Sequence, residues 1–87
     1  MRDFNSVINT IHNIKSKQLL GDFLYGITTP AERRELGRRL EIVERLLKQQ
    51  PQHQISEDLH VGVATVTRGS RELSQGRFKV LRSGSHA

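Results

Sequence analysis

The segment GVATVTRGSREL, residues 62 to 73, carries the side chains best suited to binding chemistry. Arg68 supplies a guanidinium group, which can bind a carboxylate or a phosphate through two parallel hydrogen bonds. Glu72 follows four residues later, so on a helix its carboxylate lies one turn away on the same face. The two side chains can pair with each other.

The same segment has an unusual composition for a helix. Its valines, Val63 and Val66, and its threonines, Thr65 and Thr67, favour a strand by propensity. A strand here has no partner strand elsewhere in the sequence, whereas short side chains suit a helix that must approach another surface closely. We therefore expect a helix that contacts a ligand or a macromolecule.

The composition argues against several other classes of protein. The chain has no cysteine, which excludes disulfides and thiol catalysis. It lacks paired carboxylates, a nucleophile with a base and a phosphate-binding loop, so we do not expect an enzyme. The histidines show no metal-ligand spacing, and no zinc site is expected. These histidines are His12, His53, His60 and His86.

No apolar run approaches the roughly 18 residues of a membrane span. Asp3 and Asn5 interrupt the region where a signal peptide would be continuously apolar. We expect a soluble cytoplasmic protein with no cofactor. The 87 residues correspond to a single small helical domain, residues 1–82, followed by a disordered tail, residues 83–87. A chain of this size without disulfides or metal needs a partner subunit to complete its core.

The charge of the chain is +5, and its distribution is uneven. From Val63 onward, five basic residues face a single acidic residue, Glu72. A local excess of positive charge of this kind indicates a polyanionic partner such as nucleic acid.

Apolar residues recur at helical spacing through most of the chain, which predicts an all-α fold of five to six helices. The first two stripes run from Phe4 to Ile14 and from Leu19 to Ile27, separated near Ser16. The central helix has an N-terminal cap at Thr29, followed by proline and, three residues after the cap, a glutamate. We expect it to end near Pro51. Its apolar stripe comprises Leu36, Leu40, Val43 and Leu47, widened by Ile42 and Leu46.

Residues 52–74 fit a helix-turn-helix motif. A short helix would be followed by a turn at His60-Val61-Gly62 and a second helix. His60 would occupy the position that favours glycine because the backbone there has a positive φ. A last helix, if one forms, is expected to be short and to lie around Phe78 to Leu81. The internal contacts of the motif are expected from Ile55, Leu59, Val61 and Val66, with Ser56 as the small residue where the helices approach.

Two segments give the chain a specific resemblance. TPAERRELGRRLEIVERLL and GVATVTRGS together resemble the bacterial tryptophan repressor family. The central helix of that family begins Thr-Pro-x-Glu-Arg, and its recognition helix is close to Gly-Ile-Ala-Thr-Ile-Thr-Arg-Gly-Ser. The resemblance covers Thr29 to Leu73, about half of the chain.

The resemblance implies a six-helix chain intertwined with a second copy in a homodimer. It also implies a sequence-specific transcriptional repressor whose two recognition helices enter successive major grooves of operator DNA. The family's corepressor, L-tryptophan, lies between the central helix and the recognition helix. By binding the DNA-competent arrangement more tightly, the ligand would shift the population of conformations toward it.

The resemblance also implies roles for individual residues. Arg39 and Arg68 would sandwich the indole ring, and Arg68 would bind the ligand carboxylate. Gly69 would leave room for the ligand, Thr29 would lie on the floor of its pocket, and Glu72 would meet its amino group. The implied DNA-binding residues are Gln52, His53, Ser56, Val63, Ala64, Thr65, Thr67 and Arg68.

The sequence departs from the family at several of these positions. The family has basic residues where His53 and Ser56 stand, and a serine where Glu72 stands. Gly26 and Thr28 replace two leucines whose carbonyls face the ligand. Three interpretations therefore remain open: an amino-acid-responsive repressor, a related DNA-binding regulator with another ligand or none, and a dimeric helical adaptor without a DNA role.

Overall fold

The computed structural model describes residues 1–82, and within that range the chain forms six helices and no strand. The expectation of an all-α fold of five to six helices is confirmed. The predicted disordered tail, residues 83–87, lies outside the described residues. None of the helices in residues 1–82 is long and apolar enough to cross a membrane. The helices are α1 Phe4–His12, α2 Lys17–Ile27, α3 Pro30–Leu47, α4 Gln52–Leu59, α5 Val63–Ser74 and α6 Lys79–Arg82.

The chain divides into two compact units, the first of which comprises Met1–Arg33. The carboxylate of Asp3 caps α1 by accepting a hydrogen bond from the backbone N–H of Ser6, at 3.0 Å. Ser16 caps α2 in the same way, which confirms the expected break between the two apolar stripes. Neither helix has a buried residue, and Phe4 and Leu19 expose most of their surface. These helices do not enclose an apolar core by themselves.

The turn between α2 and α3 is fixed by polar contacts. Thr29 Oγ1 accepts from the backbone N–H of Glu32, and the Glu32 carboxylate accepts from the backbone N–H of Thr29. This reciprocal capping box is the one that the sequence predicts. Arg33 donates to the backbone carbonyls of Tyr25 and Thr28, and its guanidinium lies 3.6 Å from the centroid of the Tyr25 ring.

The second unit begins at Arg34 and contains most of α3 together with α4, α5 and α6. Helix α3 ends at Leu47, earlier than the expected boundary at Pro51. The reason is local, because Gln49 adopts a left-handed conformation (φ 66°) and the N–H of Gln50 bonds back to the carbonyl of Arg45. A backbone reversal of this kind terminates a helix even without glycine. Pro51 instead stands at the N-cap of α4.

The apolar core of the second unit lies where α3, α4 and α5 meet. Ile42 of α3 is 2% exposed, and Ile55 of α4 and Val66 of α5 are fully buried. Leu46, Leu59 and Val61 pack against them. The internal contacts expected for the helix-turn-helix motif are therefore confirmed. Part of the predicted α3 stripe is not covered, however, since Leu36 and Leu40 are exposed.

The connection between α4 and α5 has the geometry expected of a helix-turn-helix motif. His60 ends α4 in a left-handed conformation, with φ 56°. The Ser56 hydroxyl donates to the carbonyl of Val61 at 2.6 Å, so this small residue closes the turn as well as leaving space. Arg45 of α3 forms an ion pair with Asp58 of α4 at 3.1 Å. This contact and the apolar core together fix α4 against α3.

Helix α5 ends at a second reversal. Gly76 has φ 91° and Phe78 has φ 63°, so two residues with positive φ lie close together between α5 and α6. Helix α6 comprises Lys79–Arg82, one residue later at each end than the expected helix from Phe78 to Leu81. The left-handed conformation of Phe78 places it outside the helix and accounts for the difference.

Candidate functional site

A cleft of about 540 Å³ opens between α3 and α5 in the second unit. Helix α3 contributes one wall and helix α5 the other, and a residue beyond the end of α5 adds to the rim. The cleft is lined by Glu35, Arg39, Ile42, Val43, Ala64, Thr65, Arg68, Gly69, Glu72 and Phe78.

The floor and the rim of this cleft differ in polarity. The floor is formed by Ile42 and Val43, which are almost fully buried. Two guanidinium groups, those of Arg39 and Arg68, reach the cleft from opposite helices. An apolar floor between two cationic groups suits a flat ligand with an anionic group, because guanidinium planes stack on aromatic rings and bind carboxylates.

The two arginines differ in their surroundings. Arg39 Nε lies 3.8 Å from a carboxylate oxygen of Glu35, one turn earlier on α3. Arg38 Nη1 lies 3.7 Å from the other oxygen of the same carboxylate. Within residues 1–82, no carboxylate lies within ion-pair distance of Arg68. Arg68 is therefore the cation of the cleft whose charge is free for an anionic group.

Glu72 lies in the cleft but does not pair with Arg68. Its Oε1 atom is 3.5 Å from Nε of Arg77, which follows the end of α5. The possible pair between Arg68 and Glu72 on one helix face is therefore not formed. The reversal at Gly76 brings Arg77 back toward the last turn of α5, and this contact depends on tertiary structure rather than on helical spacing.

Gly69 allows α5 to approach α3 closely. A Cβ atom at this position would lie 3.3 Å from Cγ2 of Ile42 and 3.4 Å from Cδ1 of Leu46. The resemblance implies that a side chain here would collide with the ligand. The geometry adds a tight contact with the protein itself, because the Cβ would press against Ile42 on the floor of the cleft.

The remaining predicted ligand residue, Thr29, is not among the residues that line this cleft. It belongs to the first unit, where it caps α3. Thr28, a second position of the implied pocket wall, has its backbone carbonyl engaged by Arg33 at 2.7 Å. The roles of these two residues toward a ligand stay predictions.

The predicted DNA-binding residues lie on α4 and at the start of α5. Val63 and Ala64 in the first turn of α5 are exposed, as is His53 of α4. Thr67 donates its hydroxyl to the amide oxygen of Gln52 at 2.9 Å, which ties the two helices together. The two side-chain N–H groups of Gln52 can still donate hydrogen bonds, because this contact uses only its amide oxygen. The Ser56 hydroxyl, in contrast, is occupied by the turn and is half-buried.

Two residues connect the cleft with the exposed start of α5. Ala64 and Thr65 line the cleft and also lie in the first turn of this helix. A molecule that fills the cleft would therefore touch the helix that carries the predicted DNA contacts. Such an arrangement allows binding at one surface to alter the position of the other.

The sequence did not predict a site role for four of the residues that line the cleft, Glu35, Ile42, Val43 and Phe78. It placed Ile42 and Val43 only on the apolar stripe of α3. Glu35 could have been found from its four-residue spacing to Arg39, which is typical of an ion pair on a helix. No sequence signal indicates Phe78, because its position depends on the left-handed backbone that follows α5.

Comparison with known proteins identifies the family. The model of the family described as Trp repressor protein matches residues 2–80. A Trp operon repressor homolog of Vibrio parahaemolyticus is 41% identical over 73 residues, which are 83% of this chain and 71% of the relative. A homolog of Vibrio vulnificus is 43% identical over 74 residues, 82% of this chain and 71% of the relative. The chain thus belongs to the Trp repressor family, a family of transcriptional repressors rather than enzymes.

Proposed function

We propose that this chain is a dimeric, sequence-specific DNA-binding repressor that takes L-tryptophan as its corepressor in the cleft between α3 and α5. The observation that carries the proposal is the position of Ala64 and Thr65. They belong both to the cleft and to the first turn of α5. Occupation of the cleft is thereby coupled to the presentation of this helix to DNA.

The proposed DNA interface is the exposed start of α5 together with α4. Small residues such as Ala64 allow the helix to enter the major groove, and the methyl groups of alanine and threonine can meet a thymine methyl. Val63, Thr65, Thr67 and Arg68 would contribute from α5, and Gln52, His53 and Ser56 from α4. The five basic residues after Val63 would attract the phosphates of the DNA backbone. The affinity for DNA should therefore fall strongly as the salt concentration rises.

The proposed ligand contacts follow from the charges in the cleft. Arg68, without an ion-pair partner in the described part of the chain, binds the carboxylate of the amino acid. Arg39 stacks on the indole from the opposite wall. Glu72 accepts a hydrogen bond from the ammonium group, which is compatible with its pair with Arg77 because a carboxylate accepts several hydrogen bonds.

We propose a homodimer because α1, α2 and α3 as far as Leu40 leave large apolar side chains exposed. A monomer would keep this surface in water, and a two-fold dimer would bury it. Residues 1–82 would act as one DNA-binding domain in the dimer, located in the cytoplasm with the operator. The exposed residues are Phe4, Ile8, Leu19, Ile27, Leu36 and Leu40.

Sedimentation equilibrium together with selection from a random duplex library tests this function. We expect a dimer at micromolar concentration and recovery of palindromic duplexes whose affinity rises when L-tryptophan is added. A stable folded monomer would refute the dimer. Failure to enrich any duplex, with and without ligand, would refute the DNA role and favour a helical adaptor.

A second candidate is a family member that responds to another ligand or to none. Two observations favour it: the pair between Glu72 and Arg77, and the contact of Arg33 with the carbonyl of Thr28. The same selection, repeated with the other amino acids and without ligand, decides between the candidates. Equal DNA affinity with and without L-tryptophan would support the second.

A further inference from the structure

We infer that Phe78 contacts the apolar side chain of the cleft ligand and gives this site its preference for an aromatic amino acid. The inference rests on the proposed function and extends it to a residue beyond Thr29 to Leu73, the segment that carries the sequence resemblance. Phe78 follows α5 by four residues and lines the cleft alongside the last turn of that helix.

Little apolar surface in the cleft remains uncovered, and Phe78 carries most of it. Ile42 and Val43 are 2% and 3% exposed, so they offer a ligand little further area. The rim consists of charged and small residues, apart from Phe78, which is 37% exposed. An indole or phenyl ring in the cleft would find most of its unburied apolar contact on this aromatic ring. Aromatic pairs also gain from edge-to-face or offset packing.

The backbone of Phe78 is also unusual. Its φ of 63° is a left-handed conformation that is rare for a bulky residue. Such conformations persist where the surrounding structure enforces them, and they concentrate at binding sites. Here the reversal at Gly76, with φ 91°, precedes Phe78 by two residues and turns the chain back toward α5.

Three side chains help to hold the turn in this conformation. Arg77 Nε lies 3.5 Å from Oε1 of Glu72, and Lys79 Nζ donates to the carbonyl of Gly76 at 2.8 Å. Arg82 donates to the carbonyls of Leu73 and Arg77. The turn that carries Phe78 is thus held against the end of α5 on both sides.

The turn also brings together the two side chains that would bind different parts of the ligand. Glu72, which would bind the ammonium group, pairs with Arg77, and Phe78 is the next residue in the chain. The carboxylate and the aromatic ring are therefore positioned by one short segment. A ligand with both an ammonium group and an aromatic side chain, such as L-tryptophan, would engage both.

The expected effect of removing the ring follows from its exposed area. With 37% of the surface of Phe78 still accessible, a ligand can cover about 70 Å² of an aromatic residue of roughly 200 Å². At the usual hydrophobic contribution per unit area, that burial corresponds to about a 10- to 20-fold change in Kd.

Calorimetric titration with L-tryptophan of the full chain and its variants tests this inference. We expect Phe78→Ala to raise Kd about 10- to 20-fold and Phe78→Leu, which keeps much of the apolar area, to raise it by about 2- to 5-fold. Alanine and leucine both carry a Cβ atom, so both variants have the same backbone strain at the positive φ of position 78. The difference between their Kd values therefore reports on the side chain. Val80→Ala is the matched control: Val80 lies on α6, is 66% exposed and does not line the cleft, so no change is expected.

Phe78→Gly tests whether weaker binding comes from a misfolded turn rather than from the missing ring. Glycine adopts a positive φ without strain, so the turn should keep its conformation in this variant. It should bind as weakly as Phe78→Ala while keeping the helical circular dichroism of the parent. If the parent binds L-tryptophan and either of these variants binds it equally tightly, Phe78 is not a ligand residue and the inference is wrong, although the proposed function stands. If the parent itself does not bind L-tryptophan, the corepressor assignment is wrong and the inference falls with it.

Discussion

The substitution Gly69→Ala separates two explanations for the glycine in the TRGS segment. If the space beside Gly69 serves only the ligand, alanine should stabilise the free protein. Gly69 lies inside α5, where alanine is favoured over glycine by about 1 kcal/mol. If the space serves the packing of α5 on α3, the added methyl group meets the protein and this gain is lost.

The structure favours the packing explanation. The new Cβ would lie 3.3 Å from Cγ2 of Ile42, a side chain that is itself 2% exposed and has little room to move. Leu46, at 3.4 Å, is only partly buried and can adjust more easily. Overpacking of a core costs about 1–3 kcal/mol. After subtracting the helix-propensity gain of about 1 kcal/mol, we expect Gly69→Ala to lower the free energy of unfolding by about 0–2 kcal/mol.

Gly37→Ala provides the matched control. Gly37 lies inside α3, and a Cβ there would meet no atom within 4 Å, so the full gain of about 0.5–1 kcal/mol is expected. Urea denaturation followed by circular dichroism measures both variants. Both are compared at one protein concentration, because the stability of the proposed dimer would depend on concentration. Equal stabilisation by the two substitutions would refute the packing explanation. If Gly69→Ala also weakened L-tryptophan binding in that case, the glycine would serve the ligand alone.

Four further predictions follow from single contacts. Thr29→Ala should lower the free energy of unfolding by about 1 kcal/mol, since it removes half of the capping box, and Thr29→Ser should restore it; equal stability of Ala and Ser variants in urea would contradict this. His60→Gly should raise the free energy of unfolding by about 1 kcal/mol because φ is 56° there, and a lower urea midpoint would show that the imidazole makes a stabilising contact. Thr65→Glu should abolish specific duplex binding in a mobility-shift assay. Gln75→Glu makes the same charge change just beyond the far end of α5 and should retain most of the binding. Unchanged affinity of Thr65→Glu for the duplex would mean that the DNA interface lies elsewhere. Glu72→Ala should weaken L-tryptophan binding about 10- to 100-fold in calorimetry. Binding of indole propionate, which lacks the amine, should be no weaker in this variant. If the variant binds L-tryptophan as tightly as the parent, Glu72 does not bind the ammonium group of the ligand.

Much of the fold was predictable because its signals are local. The capping box at Thr29 and Glu32 depends on residues three apart, and the helix-turn-helix depends on apolar spacing within residues 52–74. Hydrogen bonds and side-chain faces over one or two helical turns are determined by the sequence in that window. The end of α3 was placed too late because Gln49 reverses the chain without glycine, which sequence patterns do not indicate.

The candidate site was predictable in part, and for a different reason. Arg39, Arg68, Gly69 and Glu72 were identified through resemblance to the family, and the packing of α5 on α3 brings all four to one cleft. Without that resemblance, Arg39 is one of several arginines on an exposed helix. Its selection as a ligand residue depends on which face of α3 lies opposite α5.

The helical class, the capping box at Thr29, the helix-turn-helix and the excess of positive charge toward the end of the chain could all be predicted from the sequence. Each depends on the identity of neighbouring residues or on their number. Tertiary structure alone decided that Glu72 pairs with Arg77 rather than Arg68, that Gly69 faces Ile42, and that Phe78 reaches the cleft. These contacts require particular distances between separate elements. The distance between Gly69 and Ile42 follows from core packing between residues far apart in the sequence. The positions of Arg77 and Phe78 follow from the positive-φ backbone after α5, which helical periodicity does not indicate.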